Sequence, residues 1–161
     1  MSATPSPYLY HQGEADVRWM FDTCSSFLAG GDQTDGAFAL VDERAHRGES
    51  VPLHRHPDDW ESFYVLEGEI SFFLEDDPGV RAGAGAFVYI PGGTVHGFRI
   101  ESETARYLIL TTPRHGEFYR AITLPSEEGG GQPSAPIAGE QIGVAARAYG
   151  IEMVRPLPEG A

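Results

Sequence analysis

The chain has 161 residues, a length that fits one domain with a single core. Its formal net charge is −13 at pH 7, which excludes the basic surface of a nucleic-acid binder and disfavours contact with anionic membranes. Its single cysteine, Cys24, excludes an intramolecular disulfide bond. No stretch has the pattern of a signal peptide or a membrane span, so we expect a cytoplasmic protein.

Turn-forming residues divide the chain into short segments and predict an all-β domain. Twenty glycines and twelve prolines separate apolar runs of strand length. Residues 1–35 are predicted to form an N-terminal arm and strands that pack on a barrel, and residues 36–112 to form the barrel core. The predicted core strands lie at 37–45, 60–66, 70–74, 86–90, 95–100 and 106–111. Strands of this length and spacing are typical of a barrel or sandwich.

The last part of the chain, residues 113–161, reads as a C-terminal extension. Residues 115–122 are compatible with one short helix. Residues 125–136 are rich in Gly, Pro, Ser and Glu, which is typical of a flexible loop. Apolar residues at helical spacing predict a helix at about 138–149, with Gly150 at its C-terminal end.

The stretch HRHPDDWE contains a candidate metal site formed by His54, His56 and Glu61. Side chains two residues apart on a strand point to the same face, and a hairpin can bring Glu61 to that face. Two imidazoles and one carboxylate suit Fe, Ni, Co, Mn or Zn better than Ca or Mg. Taken alone, the same residues also fit a polar surface turn, so a second signal is needed.

Two spaced motifs supply that signal and resemble the cupin superfamily. The first is G-x5-H-x-H-x4-E-x6-G at residues 48–68, and the second is G-x5-P-x-G-x2-H at residues 85–96. The resemblance implies a small β-barrel of the jelly-roll type. It also implies one divalent transition metal bound by four side chains, those of His54, His56, Glu61 and His96.

Three stretches outside the motifs narrow the resemblance. Residues 32–54, 108–122 and 145–158 are similar to single-domain bacterial cupins of the quercetin 2,3-dioxygenase-like group. The resemblance implies a dioxygenase whose partners are dioxygen and a flavonol or other small aromatic polyphenol. It gives Glu61 two roles, metal ligand and acceptor of the substrate hydroxyl proton. The open alternatives are a metal-dependent cyclase or isomerase of aromatic polyketide or secondary metabolism, and a small-molecule-binding cupin without turnover.

Alternation along the strands predicts which side chains line the barrel. Counted from Glu61 and His96, alternation places four side chains inside the barrel: Phe63, Val65, Phe98 and Ile100. Phe72, Phe87 and Tyr89 are further predicted substrate-pocket residues, chosen for their aromatic character and not by alternation. An equally good interpretation is that these side chains only fill a small barrel. Ile100 stands where the second cupin motif usually has asparagine, which puts a local turn contact in doubt and not the metal.

The remaining predictions concern the other histidines and the oligomeric state. His11 and His46 are predicted to be solvated. His115 follows the last barrel strand and could approach the barrel mouth as a proton shuttle, but we leave it outside the predicted site. The edges of the barrel and the N-terminal strands favour a homodimer.

Overall fold

The computed structural model of the chain describes residues 4–159. Two antiparallel sheets account for its strands, and two α-helices follow the last barrel strand. The strands are β1 (Asp16–Met20), β2 (Thr23–Ala29), β3 (Ala39–His46), β4 (Ser50–Arg55), β5 (Glu61–Glu67), β6 (Glu69–Leu74), β7 (Val80–Gly83), β8 (Phe87–Ile90), β9 (His96–Ile100), β10 (Thr104–Thr111), β11 (Leu124–Pro125) and β12 (Glu152–Arg155). The helices are α1 (Pro113–Ala121) and α2 (Gly139–Ala148).

The order of the strands places the predicted barrel core in both sheets. The seven-stranded sheet runs β11-β1-β2-β3-β10-β5-β8, and the five-stranded sheet runs β12-β4-β9-β6-β7. The N-terminal strands β1 and β2 therefore extend the first sheet beside β3. Strands β7, β11 and β12 were not predicted, and β12 lies beside β4, the strand that leads into the first two histidines.

An aromatic layer joins the two sheets. The Phe63 ring of the first sheet lies 5.1 Å from the Phe72 ring and 5.4 Å from the Phe98 ring of the second sheet, measured between centroids. The Tyr107 ring lies 5.9 Å from that of Phe98. All four side chains are buried, so the middle of the barrel is filled by rings that pack against one another.

Two of the predicted lining residues lie on the outer face, so that part of the prediction is wrong. Phe87 is 64% exposed and Tyr89 is 55% exposed. Strand β8 pairs with β5 so that Val88 stands opposite Phe63. Opposite residues share a face, so the inward Phe63 turns Val88 inward and its neighbours outward. The other predicted lining residues are buried in the core: Phe63, Val65, Phe72, Phe98 and Ile100.

Helix α1 lies close to the barrel and begins two residues before the predicted 115–122. The Thr112 hydroxyl caps its first turn by accepting from the backbone N–H of His115 at 3.1 Å. A Cβ atom on Gly116 would lie 2.4 Å from the Cβ atom of Ala39 on β3. Only glycine therefore permits this close approach of helix and sheet.

The rest of the C-terminal extension is also held by defined contacts. Within the predicted loop 125–136, the Gln132 side-chain amide donates to the carbonyl oxygen of Phe21 at 2.7 Å. Helix α2 matches the predicted helix at about 138–149, and Gly150 follows it with φ +72°. Among the described residues, no helix is long and apolar enough to cross a membrane.

Candidate metal centre

The structure brings the four predicted ligand residues together. His54 on β4 and His96 at the start of β9 are cross-strand partners, and Glu61 begins β5. His56 follows the end of β4, so it reaches the same point from a turn and not from the strand itself. One potential ligand atom from each residue lies within 4.8 Å of all the others, and all four residues are buried.

Hydrogen bonds to the backbone fix which nitrogen of each imidazole carries the proton. The Nδ1 atoms of His54, His56 and His96 each lie within hydrogen-bond distance of a carbonyl oxygen. Those carbonyl oxygens belong to Pro52 at 2.8 Å, Asp59 at 2.6 Å and Thr94 at 2.9 Å. A carbonyl oxygen can only accept, so Nδ1 must donate, and Nε2 of each neutral ring is left with a free lone pair.

Those lone pairs meet each other and a carboxylate. The Nε2 atoms of His56 and His96 are 3.2 Å apart, and they lie 3.3 Å and 3.1 Å from Oε2 of Glu61. Three buried acceptors at such distances repel one another unless a positive charge lies between them. Imidazole nitrogen and carboxylate oxygen together suit a divalent transition metal, so this cluster could hold one such ion.

The pKa shifts agree with a site that attracts positive charge. Burial lowers the pKa of His54 to about 4, so its ring is neutral and able to bind a metal. Burial lowers the pKa of His56 as well, but the hydrogen bond and charge of Glu61 more than offset this, and the net shift is upward. The carboxylate thus favours a cation at this point, and a metal ion competes there with a proton.

Helix α1 brings two further residues to the site. The Tyr119 hydroxyl donates to Oε1 of Glu61, and Nε2 of His115 lies 3.5 Å from the same oxygen. The His115 ring is 4.1 Å from the His56 ring and is buried. Burial, and then the negative charge of Glu61, raise the pKa of Tyr119 well above its ordinary value, so the phenol keeps its proton.

Neither His115 nor Tyr119 was among the predicted site residues. The available signal is their spacing of four residues directly after the last barrel strand, which places both on one face of a helix. That spacing does not say which face of α1 meets the barrel. The packing of Gly116 against Ala39 determines the face, and only the structure shows it.

Asp59 connects α1 to the metal ligands. Its Oδ1 accepts from the Thr112 hydroxyl at 2.6 Å, and its Oδ2 accepts from the Arg114 guanidinium at 2.8 Å. Its backbone carbonyl is the one that orients His56. This one buried residue therefore holds both the first turn of α1 and a ligand imidazole.

Comparisons with known proteins agree with the fold and the cluster. Residues 42–111 match the cupin domain family. The polyketide cyclase RemF from Streptomyces resistomycificus superposes with a TM-score of 0.60 at 23% identity, over 67% of this chain and 80% of that chain. An RmlC-like cupin from Shewanella frigidimarina gives a TM-score of 0.60 at 16% identity, over 70% and 96%. The chain therefore contains a cupin-like domain at residues 42–111, and the predicted jelly-roll fold is confirmed.

The chain is also similar to quercetin 2,3-dioxygenase from Bacillus subtilis. The two are 30% identical over 122 residues, which cover 75% of this chain and 36% of that protein. The chain thus spans about a third of the length of the relative it matches. The predicted resemblance to quercetin 2,3-dioxygenase-like cupins is confirmed by this similarity.

Proposed function

We propose that this chain is a metal-dependent dioxygenase acting on a flavonol-like or other aromatic polyphenol. The observation that carries the proposal is the convergence of the Nε2 atoms of His56 and His96 on Oε2 of Glu61. Similarity to the Bacillus quercetin 2,3-dioxygenase supports the reaction and the substrate class. The partners of the reaction are then a small aromatic molecule and dioxygen.

The proposed ligands are His54, His56, Glu61 and His96, and the ion is one of Fe, Ni, Co, Mn or Zn. When bound, such an ion supplies Lewis acidity toward a substrate hydroxyl and, for redox-active metals, electron transfer to dioxygen. Burial raises the pKa of Glu61, but the facing imidazoles, His115 first, bring it well below its ordinary value. Glu61 is therefore ionised, as a metal ligand must be. Its second proposed role is to accept the substrate hydroxyl proton.

The closed state of the site bears on how substrate reaches it. All four proposed ligands are at most 8% exposed, and His115 and Tyr119 of α1 lie against Glu61. A flavonol therefore contacts the site only after neighbouring side chains move. The proposed lining of the opened cavity comes from buried core residues: Phe63, Val65, Phe72, Phe98 and Ile100.

Metal analysis and oxygen uptake test this function together. Protein purified without chelators is assayed for metal, reconstituted separately with the five candidate ions, and given a panel of flavonols in an oxygen electrode. We expect oxygen uptake with at least one ion and loss of uptake in Glu61→Gln. Glu43→Gln is the matched control, because Glu43 is a buried carboxylate of the same barrel that is not among the proposed ligands. Negligible metal occupancy after reconstitution with all five ions would contradict the proposal.

A redox-neutral cyclase or isomerase is the second candidate. It is favoured by the phenol of Tyr119 and the imidazole of His115 beside Glu61, because proton donors and acceptors are what such rearrangements require. Conversion of substrate without oxygen uptake would support it. Binding of an aromatic ligand with no product under any metal would instead support a cupin without turnover.

We also propose a homodimer. Strand β8 is an edge of the seven-stranded sheet, and its exposed aromatic residues Phe87 and Tyr89 stand beside Tyr64 of β5. An unpaired edge with exposed aromatic side chains is suited to burial against a second copy. Light scattering should give twice the chain mass, and Phe87→Ser should shift the equilibrium toward the monomer. A monomer at all concentrations would exclude this assembly.

A further inference from the structure

The two carboxylate oxygens of Glu61 have different partners. Oε2 faces the Nε2 atoms of His56 and His96, the side where a metal ion is proposed. Oε1 faces helix α1, where it accepts from the Tyr119 hydroxyl and lies 3.5 Å from Nε2 of His115. One oxygen of the carboxylate thus faces the proposed metal, and the other contacts helix α1, which lies outside both cupin motifs.

The partners of Oε1 are held firmly by the packing of α1. Asp59 binds the capping residue Thr112 and the side chain of Arg114 at the start of the helix. One turn further, Gly116 rests directly on β3. Because both ends of this first turn are fixed, the Tyr119 hydroxyl has little freedom to leave Oε1.

We propose that Tyr119 and His115 are positioning residues that keep Oε1 away from the metal, so that Glu61 binds through Oε2 alone. A carboxylate can bind a metal through one oxygen or both, and the choice depends on what else each oxygen contacts. An oxygen that already accepts hydrogen bonds has less electron density to offer a metal. The inference rests on the metal site of the proposed function, but not on its substrate.

One-oxygen binding has a consequence for the proposed reaction. Four protein ligand atoms leave open positions on a metal that accepts five or six ligands. A second oxygen from Glu61 would fill one position that a substrate hydroxyl needs. Tyr119 therefore acts through Glu61, by preserving a vacant position, and it need not touch the substrate.

Cobalt spectroscopy tests this inference without measuring turnover. Co²⁺ is titrated into the wild-type protein and into Tyr119→Phe, and the visible absorbance per bound ion is recorded. Absorbance of Co²⁺ falls as its coordination number rises, so we expect Tyr119→Phe to lower it roughly twofold and to shift the bands. We also expect the Kd for Co²⁺ to change by roughly tenfold, a common size of effect for a group that orients a ligand.

Three further variants separate positioning from general packing. Tyr107→Phe is the matched control, because Tyr107 is another buried tyrosine that donates to a carboxylate, Oε2 of Glu43 at 2.9 Å. It should leave the cobalt spectrum unchanged. His115→Gln keeps a polar N–H group near the position of Nε2 and should resemble the wild type. His115→Leu removes this polar contact with Oε1 and should shift the spectrum.

The outcomes distinguish failure of this inference from failure of the proposed function. Failure of the wild-type protein to bind Co²⁺ overturns this inference, whereas the metal site itself is refuted only if none of the five candidate ions binds. If all proteins bind Co²⁺ with superimposable spectra, the metal site stands and the positioning role is overturned. Should Tyr119→Phe fail to fold, the pair His115→Gln and His115→Leu gives the same decision, with equal spectra counting against the inference.

Discussion

A second carboxylate in the barrel, Glu43, gives a prediction about stability. It projects inward from β3, is 5% exposed, and accepts hydrogen bonds from the Ser25 hydroxyl at 2.9 Å and the Tyr107 hydroxyl at 2.9 Å. Burial raises the pKa of Glu43 to about 7, and the negative charges of Glu61 and Glu49 act in the same direction. The two hydrogen bonds oppose this rise without cancelling it.

The raised pKa fixes the direction of the pH dependence. The folded protein holds the Glu43 proton up to about pH 7, whereas the unfolded chain releases it near 4.5. The stabilising contribution of the protonated group is therefore complete below pH 4.5 and is lost as the pH rises through 7. Proton linkage with these two pKa values gives a loss of about 2.5 kcal/mol in the free energy of unfolding between pH 5 and pH 8.

Urea unfolding of the wild type and of Glu43→Gln measures this loss. Glutamine keeps the shape of the protonated acid and can bond to both Ser25 and Tyr107, but it does not titrate. The metal site is the same in both proteins, so its pH dependence cancels in the comparison. From pH 5 to pH 8, we expect the free energy of unfolding of the wild type to fall by about 2.5 kcal/mol relative to that of the variant. If the unfolding free energies of the two proteins stay parallel with pH to within about 0.5 kcal/mol, the reasoning is refuted.

Three further outcomes follow from packing and metal binding. In urea unfolding, Gly116→Ala should destabilise the protein by roughly 1–3 kcal/mol, because its Cβ atom would meet Ala39. Gly139 has open space around it, so Gly139→Ala should not destabilise the protein. Equal effects of the two substitutions would contradict the packing of Gly116 against Ala39. At concentrations where light scattering shows a monomer, Phe63→Ala should cost roughly 3–5 kcal/mol of unfolding free energy and Phe87→Ala less than about 0.5 kcal/mol. The reverse order would contradict the assigned faces. Removal of bound metal by a chelator should lower the Tm, and metal should restore it; an unchanged Tm in a protein shown to contain metal would count against a structural contribution.

The proposed ligands could be predicted because their spacing is local. His54 and His56 are two residues apart, and Glu61 begins the next strand. The predicted hairpin is wrong, because β4 and β5 lie in different sheets, but the short turn between them carries Glu61 across to the two histidines. His96 could be predicted as the fourth ligand from the second motif alone. The resulting cluster also needs the two sheets to face each other, since Glu61 lies in one sheet and His54 and His96 lie in the other. The structure places all four members within reach of one ion.

The faces of β8 could not be predicted because they depend on a loop. The chain passes from β7 through a turn at Gly85 before β8 begins, and one residue more or less in such a turn inverts the alternation. Aromatic character suggested that Phe87 and Tyr89 face inward. The pairing of β8 with β5 instead places the smaller Val88 and Ile90 on the inner face.

The missed site residues show what the motifs leave undetermined. The motif residues supply the atoms that can surround a metal, but the partners of Oε1 of Glu61 come from α1. The position of α1 depends in turn on Asp59 and Gly116, neither of which is a proposed ligand. A cupin with the same four ligands but without a tyrosine at position 119 would leave Oε1 free to bind the ion. In this chain, the number of open positions on the metal depends on helix α1 as well as on the motif residues. The chemistry that the barrel can support therefore depends on both.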